Sequence, residues 1–115
     1  MSRSPLEFLR HARDEMDYLI ERSRELDRDK FLQDATVQRA FVRSLEIIGE
    51  AAKNVPDDFR RQYEHIDWRS IAGMRDRLIH AYFGVDYDIV WDVVTNKVPT
   101  LKQEFQRIIQ SEETS

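Results

Sequence analysis

Apolar residues return every three or four positions along almost the whole of this chain, and that spacing limits its fold more than any other feature. Leu6, Leu9, Met16, Leu19, Ile20 and Leu26 form one such series, with Phe8 and Tyr18 flanking it. Val37, Ala40, Phe41, Leu45, Ile48, Ala51 and Ala52 form a second, and Leu101, Phe105, Ile108 and Ile109 a third. Each series lies on one face of an α-helix and on no single face of a strand. With three glycines and three prolines in 115 residues, the chain lacks the turns of an all-β fold.

The ends of the helices are marked. Ser4-Pro5-Leu6-Glu7 reads as a cap with proline in the first turn and opens a helix over about 5–27. Asp27-Arg28-Asp29-Lys30 reads as a polar break. Asp34 caps a helix over about 35–54, closed by Asn54-Val55-Pro56. Small residues around Gly49 predict close approach of another helix. Asp57-Asp58-Phe59 opens a short turn up to about Tyr63. Asp67, between Ile66 and Ile71 as a staple, caps a helix predicted to run unbroken from Trp68 to about Tyr82, ahead of Gly84. Val85, Asp86 and Val90 repeat that pattern and start a helix carrying Ile89, Val90, Trp91, Val93 and Val94. Pro99 forces a break or a new first turn before the last helix. Trp68, Leu78, Ile79 and Trp91 are expected in the core. The sum is an all-α, four- to five-helix up-and-down bundle. It is read as a single domain over 1–110, with a tail over 111–115 that frays.

Absences narrow the function. There is no cysteine, so disulfides, thiolate metal sites and cysteine nucleophiles are excluded. Neither a signal core nor an apolar run of about 18 residues is visible, so no membrane segment and a cytoplasmic location are expected. The net charge of −4 is unlike that of a general nucleic-acid binder, so any RNA contact must come from a local patch. His11, His65 and His80 lack metal-ligand spacing, and no metal or cofactor is expected. Glycine-rich phosphate loops and Gly-x-Ser-x-Gly elbows are missing too. Ser70 reads as an ordinary first-turn helix serine.

One stretch departs from the acidic average. Residues 60–82 hold Arg60, Arg61, Arg69, Arg75 and Arg77 with His65 and His80, against Glu64, Asp67 and Asp76. Tyr63, Trp68 and Tyr82 add rings on which bases could stack. On charge alone, a solvated helix face explains this. Cutting RNA without a metal needs a base for the 2′-hydroxyl, an acid for the leaving 5′-oxygen and a cation for the phosphate. Histidine suits either proton role near neutrality, and arginine forks onto phosphate oxygens. An arginine and a histidine are the least that this chemistry requires. Glu46 and Glu50 share a helix face, and Glu50 is expected to pair with an arginine rather than form an acid–base dyad.

Arg75-x4-His80-x-Tyr82 resembles the Arg-x4-His-x-Tyr motif of HepT-like proteins in the HEPN superfamily, and Asp76 after the arginine fits too. Ile47-Ile48-Gly49-Glu50-Ala51-Ala52-Lys53 is similar to that family's second-helix signature. Asp67-Trp68-Arg69-Ser70-Ile71-Ala72-Gly73-Met74-Arg75 is similar to its lead-in to the motif. Tyr87-Asp88-Ile89-Val90-Trp91 and Val98-Pro99-x-Leu101 resemble its ending. The resemblance implies a HEPN-type bundle that dimerises, with the motifs meeting at a cleft between protomers. It implies a metal-independent RNA endonuclease, the toxin of a type VII toxin–antitoxin pair. Its partner would be an MNT-type nucleotidyltransferase antitoxin that silences it by transferring AMP to the motif tyrosine. Residue by residue, Arg75 and His80 would be catalytic and Tyr82 the modified residue. Asp76, Arg77, Arg69 and Glu50 would support RNA binding or orientation.

Helix geometry complicates this reading. At about 100° per residue, Arg75 and His80 stand roughly 140° apart on a straight helix, while Arg75 and Tyr82 fall nearly in line. Either the helix is irregular as it nears Gly84, or two chains build the site together; the second is expected. A catalytically silent dimeric module that binds a nucleotidyltransferase is the competing function. A small-ligand pocket between helices is a third.

Overall fold

In the computed structural model, residues 4–80 and 84–114 are described, the side chain of His80 excepted. The chain folds as an all-α bundle built on three long helices: α1 (Pro5–Arg24), α3 (Ala35–Lys53) and α8 (Val98–Thr114). α1 lies between the other two. Its Leu9, Ala12, Met16 and Leu19 are fully buried against Phe41, Leu45 and Ile48 of α3 and Phe105 and Ile109 of α8. Burying each large side chain contributes about 1.5–3 kcal/mol, so this seam carries much of the fold.

The caps read from the sequence form. Ser4 accepts from the Glu7 amide at 3.4 Å, Asp34 from Val37 at 3.1 Å, Asp67 from Ser70 at 3.1 Å and Asp86 from Ile89 at 3.2 Å. Side-chain oxygens thus satisfy amides that the first turn leaves open.

The segment expected to be a polar break is instead a helix, α2 (Arg28–Gln33). Asp27 caps it, accepting from the Lys30 amide at 2.8 Å. Phe31 is the reason it folds: fully buried, its ring lies 5.1 Å from Phe41 and 5.2 Å from Trp91. One aromatic anchor outweighs the charged residues around it. Arg28 also pairs with Asp88 across to α7 (Tyr87–Asp92), which holds its pKa above the ordinary arginine value.

Beyond α7 the chain widens into a π-helical segment, Val93–Lys97, before α8. The Val98 amide reaches back five residues to the Val93 carbonyl. Pro99 explains the widening, because it has no N–H to return to the residue-95 carbonyl and its ring crowds the preceding turn. The new first turn expected at Pro99 forms, without a break in the rod.

The C-terminal end is not frayed from residue 111: α8 is helical through Thr114. Glu112 accepts from the Tyr63 hydroxyl at 2.6 Å, and Arg10 pairs with Glu113 at 3.1 Å. The Thr114 hydroxyl donates back to the Gln110 carbonyl at 3.1 Å. These contacts tie the last turn to α1 and to the end of α4 (Asp57–Gln62), and spacing within α8 could not announce them. No helix among the described residues is long and apolar enough to cross a membrane.

Candidate active site

The unbroken helix expected over 68–82 is absent. The chain forms α5 (Trp68–Ala72), turns at Gly73, forms α6 (Met74–Leu78) and then becomes extended as β1 (Ile79–His80). β1 pairs antiparallel with β2 (Gly84–Val85), matching Ile79 with Val85 and His80 with Gly84. Two causes are visible. Gly73 lowers helix propensity by about 1 kcal/mol, and the ladder breaks there. At the other end the Leu78 carbonyl is taken by the Asp86 amide at 2.8 Å, a competitor to the helical donor four residues on. Gly84, at φ +75°, adopts the left-handed backbone that the hairpin requires.

α5 is seated by α3. A β-carbon at Gly49 would stand 3.2 Å from the Ile71 carbonyl oxygen and 3.5 Å from that of Ala72. The close helix approach expected around Gly49 is thus α5, the element leading into the motif. Trp68, Ile71, Met74 and Leu78 are buried and fix the roll of α5 and α6.

Arg75, Asp76 and Arg77 consequently point outward and are all exposed. Among the described residues Arg75 makes no ion pair or side-chain hydrogen bond, and neither does Arg69, which is also exposed. Arg77 is held: its Nη1 donates to the Ser70 hydroxyl at 2.7 Å. Ser70, expected to be an ordinary first-turn serine, is therefore the post that fixes Arg77. The two residues lie on either side of the turn at Gly73, so the contact depends on how α6 is set against α5.

The rest of the basic stretch divides by role. Arg60 serves the fold, donating to the carbonyls of Val55, Ala52 and Lys53 at 2.8–2.9 Å and closing the end of α3. Arg61 pairs with Asp58. Tyr63 is no base platform, because its hydroxyl is bonded to Glu112 and its ring lies 5.0 Å from Phe59. The bond to Glu112 and partial burial raise the Tyr63 pKa above the ordinary tyrosine value. Trp68 is buried with its indole N–H on the Tyr63 carbonyl at 3.0 Å, and Trp91 is partly buried against Phe31.

Three expectations change. Ile79 is not core: it is 40% exposed, since the extended β1 turns it outward. Glu50 is exposed and makes no ion pair among the described residues; the glutamate of α3 that faces an arginine is Glu46, 4.0 Å from Arg43. The straight-helix angles no longer apply, because the helix stops at Leu78, four residues short of Tyr82. Tyr82 and the His80 side chain lie outside the described residues, so the distance from Arg75 to either is not part of this geometry. Among the described residues no three histidine, aspartate or glutamate side chains gather into a metal-binding group.

Beside Arg77 runs a cleft of about 440 Å³ that sequence reasoning missed. One wall is α5 and α6; the other is α7, the π segment and the start of α8. Lys97 and Glu104 line it, and nothing in the linear sequence connects them to the motif.

An all-α bundle presenting an unpaired arginine just ahead of an extended His-bearing segment suits a small ribonuclease-type protein, and sequence comparison agrees. The chain matches the family described as Ribonuclease HepT-like over residues 12–108, and it belongs to that family. A relative provisionally named an RNase in Caldanaerobacter subterraneus subsp. tengcongensis is 46% identical over 110 residues, 96% of this chain and 98% of its own. A probable ribonuclease HepT of Thermococcus cleftensis is 44% identical, covering 94% of this chain and 98% of its own. A further provisionally named RNase, from Methanocaldococcus jannaschii, is 45% identical over 89% of this chain and 84% of its own. No solved structure is a significant match.

Proposed function

We propose that this protein is a metal-independent RNA endonuclease that acts as a homodimer and forms the toxin of a type VII toxin–antitoxin pair. The observation that carries the reading is the state of Arg75. It is exposed, free of any acidic partner among the described residues, and five residues ahead of His80. An unpaired guanidinium on a surface of net charge −4 is a phosphate site in waiting.

In this mechanism Arg75 binds the scissile phosphate and stabilises the charge that grows on its oxygens. His80 takes the proton of the 2′-hydroxyl as that oxygen attacks phosphorus. The bond from phosphorus to the 5′-oxygen breaks, and the 5′-oxygen takes a proton from water, while the histidinium returns its proton to solvent. The products are a 2′,3′-cyclic phosphate and a 5′-hydroxyl. A two-fold axis would set Arg75 of one chain beside His80 of the other and double the local positive charge, which one acidic chain lacks. Asp76 orients His80 or an arginine across the dimer. Arg77, Arg69 and Glu50 would bind RNA or orient the catalytic pair.

Control would fall on Tyr82. An MNT-type nucleotidyltransferase partner joins the α-phosphorus of ATP to the tyrosine oxygen, with pyrophosphate leaving and the phenolic proton passing to solvent. The added phosphate brings negative charge within two residues of His80 and competes with RNA for the arginines. A reading frame beside this one that encodes a Gly-Ser-x10-Asp-x-Asp nucleotidyltransferase would support the pairing.

RNA cleavage in EDTA, compared between wild type and His80→Ala, tests the enzyme reading. Activity confined to the wild type supports it. Equal activity in both sinks the assignment of His80, and inactivity of both favours a silent binding module for the nucleotidyltransferase.

A further inference from the structure

The cleft beside α6 has a definite chemical make-up. Its floor is apolar: Ile71, Met74 and Leu78 from one wall face Ile89, Val93 and Leu101 from the other. Each wall carries one cation at the rim, Arg77 on α6 and Lys97 on the π segment. Neither has an acidic partner among the described residues, and the Ser70 hydroxyl holds Arg77 in place at 2.7 Å. Asp67, Glu104 and His65 also line it, and His65 and Glu104 share an adjoining hollow with Tyr63 and Arg107. A π turn builds the Lys97 wall, and π turns recur where a helix is reshaped for function. Arg75 does not line the cleft; it is two residues from Arg77 and so about 200° around the helix.

We propose that this cleft holds one unstacked nucleotide of a single RNA strand, a few nucleotides along from the one whose phosphate meets Arg75. The base lies on the floor between Met74 and Leu101. Its phosphate sits between Arg77 and Lys97, and base N–H groups face Asp67 and Glu104. The assignment rests on the reading of this protein as an RNA nuclease. The volume falls in the usual range for small-ligand sites, about 300–1,000 Å³. Two cations beside an apolar floor suit a nucleotide; an aliphatic ligand would leave them unused. A strand is favoured over a free nucleotide because two cations without a phosphate loop bind weakly, and tethering supplies the missing effective concentration.

The probe is a fluorescent octauridylate with 2′-O-methyl groups, which cannot be cut, so binding is read apart from catalysis. Its affinity for the full-length protein is compared with that of Lys97→Ala and of Leu101→Trp, which fills the cleft; Thr100→Glu adds charge at the rim without touching the core. Each variant is expected to weaken binding five- to tenfold at unchanged melting temperature, and uridine monophosphate is expected to bind at least tenfold more weakly than the octamer. A 4-thiouridine probe is expected to crosslink to cleft residues. Affinities within twofold of wild type in Lys97→Ala and Thr100→Glu would overturn the proposal. So would conversion of a dimer to monomers by Leu101→Trp, which would make the cleft an interface between copies. Loss of cleavage with this binding pattern intact would count against the nuclease reading alone.

Discussion

Gly49 lies directly beneath the Ile71 carbonyl: a β-carbon on the glycine would stand 3.2 Å from that oxygen. One missing side chain on α3 thereby lets α5 settle close to the bundle and aims the Arg75 segment outward. Gly49→Ala sets a helix-propensity gain of about 1 kcal/mol against a few tenths of an ångström of displacement in α5. The expected net change in stability, measured by urea unfolding, is within about 1 kcal/mol. Gly49→Leu cannot be absorbed and should cost about 3 kcal/mol. If Leu is tolerated as well as Ala, the close approach is not what seats α5.

Arg60 belongs to the fold and not to RNA. Removing its guanidinium leaves three carbonyls at the end of α3 without their charge-assisted donor. Arg60→Ala is expected to cost about 2–3 kcal/mol, lowering the melting temperature by roughly 10 °C. The fraction that stays folded should keep its RNA affinity. A stable variant that has lost RNA binding would move Arg60 into the site.

Tyr63 gives the protein an alkaline signature. Its hydrogen bond to Glu112 holds its pKa above the ordinary tyrosine value of 10.0. The folded state therefore binds this proton more tightly than the unfolded chain does. The stabilisation is fully present below pH of about 10 and is lost as pH rises through the folded pKa. Tyr63→Phe should cost about 1 kcal/mol at pH 7. The gap between it and wild type should close above pH of about 10. A gap that stays constant with pH would show that the hydroxyl contributes packing alone.

Modification of Tyr82 should act on binding as well as on chemistry. After AMP transfer, affinity for an uncleavable RNA, read by fluorescence anisotropy, is expected to fall at least tenfold. Unchanged affinity would mean that the AMP group blocks only the proton transfers.

How much of this could be read in the sequence depended on range. Caps and apolar spacing are local, so Ser4, Asp34, Asp67 and Asp86 announced their helices correctly. α2 was hidden because a single residue, Phe31, overrules its five helix neighbours, three of them charged, through contacts with Phe41 and Trp91. The motif helix was overextended for the same reason. Its end at Leu78 depends on a hydrogen bond from Asp86, and helix periodicity says nothing of such a competitor. Residue type suggested the chemistry proposed for Arg75 and His80, whereas the exposed, unpaired state of Arg75 follows from the burial of Met74 and Leu78. The cleft was not, since Arg77, Lys97 and Glu104 meet only when α6 packs beside the π segment.

The central claim is that Arg75 of one chain works with His80 of another. It is tested most directly by mixing Arg75→Ala and His80→Ala proteins, allowing subunits to exchange, and measuring RNA cleavage in EDTA. Each variant alone should be reduced by a factor of about 100 or more. In the mixture half of the dimers carry one variant of each kind, and one of their two sites has both groups intact. About a quarter of wild-type activity should therefore return. A mixture as inactive as its components would show that each chain builds its own site, and full activity in either single variant would remove that residue from the mechanism.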